Sequence, residues 1–198
     1  MAASPALPTR RIAEQYLATF SSLVHGIDLK ALERIVDRIR SVRDDGRTIY
    51  IAGNGGSAAT AAHWVNDLGK ATKRSGQKPV RVIGLADNAP WLTALGNDEG
   101  FDRVFAGQLE NFAQSDDMLI VISASGRSPN LVKAVELARE RGLVTIGLLG
   151  FDGGLLKDMV TEALLIQSEV GAYGPVETAH ALVADIVTTC LIRDVAST

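Results

Sequence analysis

His63 and Asp67 lie four residues apart in the stretch Tyr50–Gly69, YIAGNGGSAATAAHWVNDLG. On a helix this spacing sets an imidazole and a carboxylate on one face. Such a pair can move a proton or offer two donors to a divalent cation. A second group lies near the other end of the chain. Glu177 and His180 are three residues apart, and Asp185 follows Glu177 by eight, a little over two helical turns. One imidazole with two or three carboxylates is a donor set for zinc or a harder divalent ion.

The residues before His63 point to a different chemistry. Gly53-Asn54-Gly55-Gly56-Ser57 ends an apolar run and opens a helical one. The loop reads either as a phosphate cradle at a helix N-terminus or as a tight turn with Ser57 as cap. A second loop, Ser123-Ala124-Ser125-Gly126-Arg127-Ser128, has the same setting. It brings more hydroxyls than one cap needs, which favours anion binding. Neither loop has the spacing of a Walker P-loop or a dinucleotide fingerprint. Asn97-Asp98, within LTALGNDEGFD, add a polar pair that is either a sugar contact or a turn.

These residues need elements to hold them. Helical periodicity covers Thr9 to about Gly46, broken at Gly26, with Asp28 as N-cap of the second helix. One helix carries the stripe Ile12, Tyr16, Phe20, Leu23; the other carries Leu29, Leu32, Ile35, Val36, Ile39. Beyond Gly46, strands are expected at Thr48–Ala52, Val80–Leu85, Met118–Ser123, Val144–Leu149 and Ala163–Ile166. Helices are expected at Ala58–Lys73, Pro90–Leu95, Phe101–Phe112, Pro129–Arg141, Leu155–Thr161 and Val176–Val195. Apolar strands alternating with helices predict an α/β fold, a doubly wound parallel sheet in three layers with an N-terminal helical extension. Ligands of such sheets sit at the carboxyl ends of the strands, where both loops fall.

Bulk properties narrow the class. The 198 residues suit one domain, with residues 1–8 expected to fray. A net charge of -3 gives no electrostatic footprint for nucleic acid. Lys70, Lys73, Arg74 and Lys78 read as a solvated helix end. No signal peptide and no membrane partner are expected. Cys190 is the sole cysteine, which excludes an intrachain disulfide, reads as a small buried hydrophobe, and suits a cytoplasmic location.

The segments GNGGS, ISASGRSPN, GFDGG and VETAH, in that order, resemble the sugar isomerase (SIS) domain and, within it, the phosphoheptose isomerase group. The resemblance runs from about residue 10 to 195 and implies a flavodoxin-like SIS fold. It implies isomerisation of sedoheptulose 7-phosphate to a heptose 7-phosphate, a homotetramer with interfacial active sites, and bound zinc. By motif, Asn54, Gly55, Gly56, Ser57, Ser123, Ala124, Ser125 and Ser128 would bind the sugar phosphate, with Asn97 and Asp98 on the sugar. His63 matches a metal ligand. Asp67 stands where the family has a Glu that is ligand and base, Glu177 where it has Gln, and Asp185 where it has a His that is ligand and acid. His180 is an alternative acid. The altered positions leave a second reading open, a phosphosugar- or partner-binding module resembling the bacterial replication-initiator-associating protein.

Overall fold

The computed structural model describes residues 8–73 and 77–194. The segment expected to fray, Arg74 and Val195 lie outside the described residues, apart from Pro8. Two helices come first, α1 (Thr9–His25) and α2 (Leu29–Asp44). Gly26 caps the first, and the Asp28 carboxylate accepts from the Lys30 and Ala31 amides at the start of the second.

Five strands follow: β1 (Thr48–Gly53), β2 (Arg81–Gly84), β3 (Met118–Ser123), β4 (Val144–Phe151) and β5 (Glu162–Gln167). They form one parallel sheet in the order β2-β1-β3-β4-β5. The connecting helices are α3 (Gly56–Asn66), α4 (Ala89–Asp98), α5 (Ala106–Phe112), α6 (Pro129–Glu140), α7 (Leu156–Met159) and α8 (Tyr173–Ile192).

Alternate side chains of the strands feed two cores. Ile49, Ile51, Ile120 and Ile122 face α2, α3 and α8. Tyr50, Ala52, Leu119 and Val121 face α5 and α6. Both faces are covered, so β1 and β3 are buried throughout and read as continuous apolar runs. α8 is long and apolar enough to span a membrane by length and composition. Its Val176, Ala179, Val183, Val187 and Leu191 are instead packed into the first core.

The expectations change in detail. The helix after GNGGS is not uniform, because the chain widens into a π-turn at Asp67–Ala71. The segment Phe101–Phe112 divides into a 3₁₀ turn and α5. The α1 stripe splits: Phe20 and Leu23 lean on the core, whereas Ile12 and Tyr16 stay 50% and 43% exposed. α1 lies on the outside of a sheet already covered by α2, α3 and α8, and buries none of its residues completely. Leu29 is also exposed, at the first turn of α2.

The chain leaves β1 through α3 toward β2 and leaves β3 through α6 toward β4. The sheet order therefore reverses between β1 and β3, which opens a crevice at their carboxyl ends. Both candidate loops border it.

Candidate active site

At that crevice Asn54, Ser57, Ser123, Ala124, Ser125, Ser128, Tyr173 and Glu177 line one open pocket, floored by Ile122 and Leu131. It holds about 150 Å³, below the roughly 300–1,000 Å³ of small-molecule sites. That is room for the anionic end of a ligand rather than for a whole sugar phosphate. Gly55 and Gly56 form the adjoining turn at the start of α3.

The two loops are fastened to each other. Asn54 Nδ2 donates to Asn130 Oδ1 at 3.0 Å, and Asn130 Nδ2 returns a bond to Asn54 Oδ1 at 2.8 Å. Asn130 Oδ1 also accepts from the Leu131 amide at the head of α6. The serines then divide by role. Ser123 Oγ accepts from the Gly126 amide at 3.0 Å and Ser125 Oγ from the Arg127 amide at 3.3 Å, so both shape the loop. Ser128 precedes α6 and Ser57 opens α3, and neither hydroxyl caps its helix. Both remain available to a ligand, beside the amides of two helix N-termini.

The segment Gly150–Gly154 braces the serine loop from behind. Gly126 has φ +61°, and a Cβ there would stand 1.9 Å from the Gly153 carbonyl oxygen. Arg127 grips Asp152 with two bonds, 2.8 and 2.7 Å long. This bidentate contact, with the Gly154 amide, holds the Asp152 carboxyl well below its ordinary range.

Glu177 sits against the first turn of α3, where a Cβ on Gly56 would stand 2.4 Å from its carboxylate oxygen. It is the acidic residue of the pocket lining. His63 and Asp67 pair as their spacing implied, with Nε2 and Oδ2 3.3 Å apart. Asp67 also accepts from Asn66 Nδ2 at 3.1 Å. The imidazole is 71% exposed and the carboxylate 25%. At 1.5 Å per residue, His63 lies about 9 Å and Asp67 about 15 Å along the helix from Ser57.

Other candidates stand apart from the pocket in a single chain. Asn97 and Asp98 are exposed at the end of α4 and bond to each other. Asp185 is exposed on α8. His180 is fully buried, with no partner for either ring nitrogen. Burial pushes its pKa down to about 4, opposed only weakly by the Leu149 backbone, with which it makes no bond of proper geometry. Among the described residues no three His, Cys, Asp or Glu converge as a metal site. Glu177 is held at Gly56, about two turns of α3 away from His63. One chain thus offers a divalent ion the His63–Asp67 pair and not the four donors expected of His63, Asp67, Glu177 and Asp185.

Sequence reasoning passed over Asn130 and Tyr173. Asn130 ends the ISASGRSPN segment, and its position in the first turn of a helix beginning at proline was a usable signal. Tyr173 carried none, because its place depends on where α8 begins.

Comparison with known proteins agrees with this geometry. The SIS domain family profile matches residues 15–150. The phosphoheptose isomerase of a Bradyrhizobium strain is 40% identical over 164 residues, 82% of each chain. The probable phosphoheptose isomerase of Thermoplasma volcanium is 36% identical over 179 residues, 90% of this chain and 89% of its own. The structure of the phosphoheptose isomerase from Neisseria gonorrhoeae superposes with a TM-score of 0.82 at 27% identity, covering 92% of this chain and 97% of that one. The chain belongs to the SIS domain family, in its phosphoheptose isomerase group.

Proposed function

We propose that this protein interconverts sedoheptulose 7-phosphate and a D-glycero-heptopyranose 7-phosphate, the aldose that feeds activated heptose biosynthesis. One observation carries the reading. A serine-rich anion pocket lies at one end of α3, and an acid–base pair lies about 9–15 Å further along the same helix. A short ligand reaches only one of these. A long sugar with a terminal phosphate can reach both.

The phosphate would bind between Ser128, Ser57 and the free amides of the loops, in the pocket that the Glu177 carboxylate also lines. Glu177 and Asn54 would hold hydroxyls of the sugar chain. At the far end Asp67 takes the proton from C1 of the ketose, and the C1–C2 enediolate forms as the C2 carbonyl becomes an alkoxide. His63 protonates that oxygen. His63 takes the C1 hydroxyl proton, and Asp67, its proton exchanged with solvent while the enediol is held, delivers a proton to C2 to complete the aldose. Where a divalent ion binds, the His63–Asp67 pair would hold it, and it would polarise the sugar oxygens.

The exposure of His63, with Asp67 half-buried beside it, supports a homotetramer in which a second copy closes the site. Ile12, Tyr16 and Leu17 of α1, all exposed, offer an apolar face for such contact. A cytoplasmic location follows from the same biosynthetic reading. The Asp67→Ala protein tests the proposal: turnover should fall at least about a hundred-fold while inorganic phosphate still binds. Full activity in this variant would remove Asp67 as the base. Saturable binding without turnover by the parent protein would favour the binding-module reading instead.

A further inference from the structure

The last residue of β4 has a backbone that its side chain does not favour. Phe151 has φ +51°, in the left-handed region that a bulky residue rarely enters. It is also almost fully buried, at 2% exposure. Ser168 pins it from both sides: the Phe151 amide donates to Ser168 Oγ at 3.3 Å, and the Ser168 amide donates to the Phe151 carbonyl at 3.4 Å. Strain of this kind persists where surrounding structure enforces it, and it collects at functional sites.

The strained residue has a specific neighbour. The Phe151 ring meets Tyr173 edge-to-face, with centroids 5.1 Å apart and planes at 81°. Tyr173 is 52% exposed, yet this contact fixes its ring as a wall of the anion pocket. It lies one helical turn before Glu177, on the same face of α8. The helix is held in register by a close approach, since a Cβ on Gly150 would stand 2.5 Å from Val176 Cγ1. Among the described residues the Tyr173 hydroxyl has no side-chain or backbone partner.

We infer that Tyr173 is a specificity-determining contact for the carbon chain of the sugar phosphate, and that Phe151 is the positioning residue that fixes it there. The inference rests on the proposed sugar-phosphate ligand. With phosphate at the serines, the chain must leave the pocket past Glu177 and Tyr173. The ring then covers C–H groups of the sugar, and the hydroxyl bonds one of its oxygens. An inorganic phosphate seated at Ser57 and Ser128 brings no carbon chain for the Tyr173 ring to cover.

Equilibrium binding tests the inference without requiring turnover. Sedoheptulose 7-phosphate and inorganic phosphate are titrated by calorimetry into the parent protein and the Tyr173→Ala, Phe151→Leu and double variants. Tyr173→Ala should weaken the sugar phosphate about ten-fold, the equivalent of one neutral hydrogen bond with its packing. Its affinity for inorganic phosphate should stay within about two-fold, which also reports an intact fold. Phe151→Leu should weaken the sugar phosphate in the same direction, and the double variant should lose no more than Tyr173→Ala alone. Unchanged sugar-phosphate affinity in Tyr173→Ala, an equal loss for inorganic phosphate, or additive losses in the double variant would each overturn it. If the parent protein binds inorganic phosphate but not the sugar phosphate, the proposed substrate fails, and Tyr173 has no sugar chain to select.

Discussion

Replacing Gly56 by alanine separates binding from folding in a way few other substitutions here can. A Cβ at Gly56 would stand 2.4 Å from one Glu177 carboxylate oxygen and 2.8 Å from the other. Both lie well inside van der Waals contact, so one group must move by about 1 Å. The obstacle is the far end of a flexible side chain, not backbone, so Glu177 yields. Gly56 has a backbone that alanine adopts without strain, since its φ is not positive. Alanine in the first turn of α3 also recovers helix propensity, by up to about 1 kcal/mol. The melting temperature should therefore hold or rise slightly. The ligand loses a charge-assisted hydrogen bond that its hydroxyl donates to Glu177, about 1.5–3 kcal/mol, or roughly ten- to a hundred-fold in affinity. The assay is calorimetric titration of sedoheptulose 7-phosphate beside a thermal melt. Unchanged affinity with an unchanged melt would show that Glu177 does not touch the sugar. A large fall in melting temperature would show that the carboxylate supports α3 instead.

Other perturbations probe different parts of the account. Gly126→Ala forces alanine into φ +61° and against the Gly153 carbonyl oxygen at 1.9 Å. It should cost about 2 kcal/mol or more, a drop of about 4–8 °C in Tm for a chain of this size, and weaken inorganic phosphate binding. A normal melt and normal phosphate affinity would contradict the bracing role of the Gly150–Gly154 segment. His180 gives a pH dependence. Its folded pKa, about 4, lies below the ordinary 6.5, so the unfolded chain binds the extra proton. Stability should be full above pH 6.5 and fall by up to about 3 kcal/mol as the pH drops to 4. His180→Leu should remove most of that slope in urea titrations at a series of pH values, and an identical slope in both proteins would refute the assignment.

Much of the fold was legible because its signals are local. β1 and β3 are buried on both faces, so uninterrupted apolar runs could mark them within a residue of their ends. Asp28 and Gly26 punctuate the N-terminal helices by backbone chemistry that needs no tertiary partner. The π-turn at Asp67 was not legible, because it depends on how Leu68 and its neighbours seat in the core. The exposure of Ile12 and Tyr16 was not legible either, since an apolar stripe does not say which surface covers it.

The site divides along the same line. The serine and glycine loops announce themselves by composition, and the structure joins them at one pocket. Spacing also foretold that His63 and Asp67 would meet. Spacing could not foretell that His180 would turn into the core while Glu177, three residues earlier, turns to the pocket. Nor could it tell that the Asn54–Asn130 bonds would tie together residues 76 positions apart.

The central claim is that the phosphate pocket and the His63–Asp67 pair serve one long ligand in a proton transfer. Incubation of the parent protein with sedoheptulose 7-phosphate in deuterated water, followed by NMR, tests it most directly. The parent protein should give an aldose heptose 7-phosphate carrying solvent deuterium at C2, and the Asp67→Ala protein neither signal. Saturable binding of the ketose phosphate with no aldose and no deuterium incorporation, across a series of added divalent metals, would contradict it.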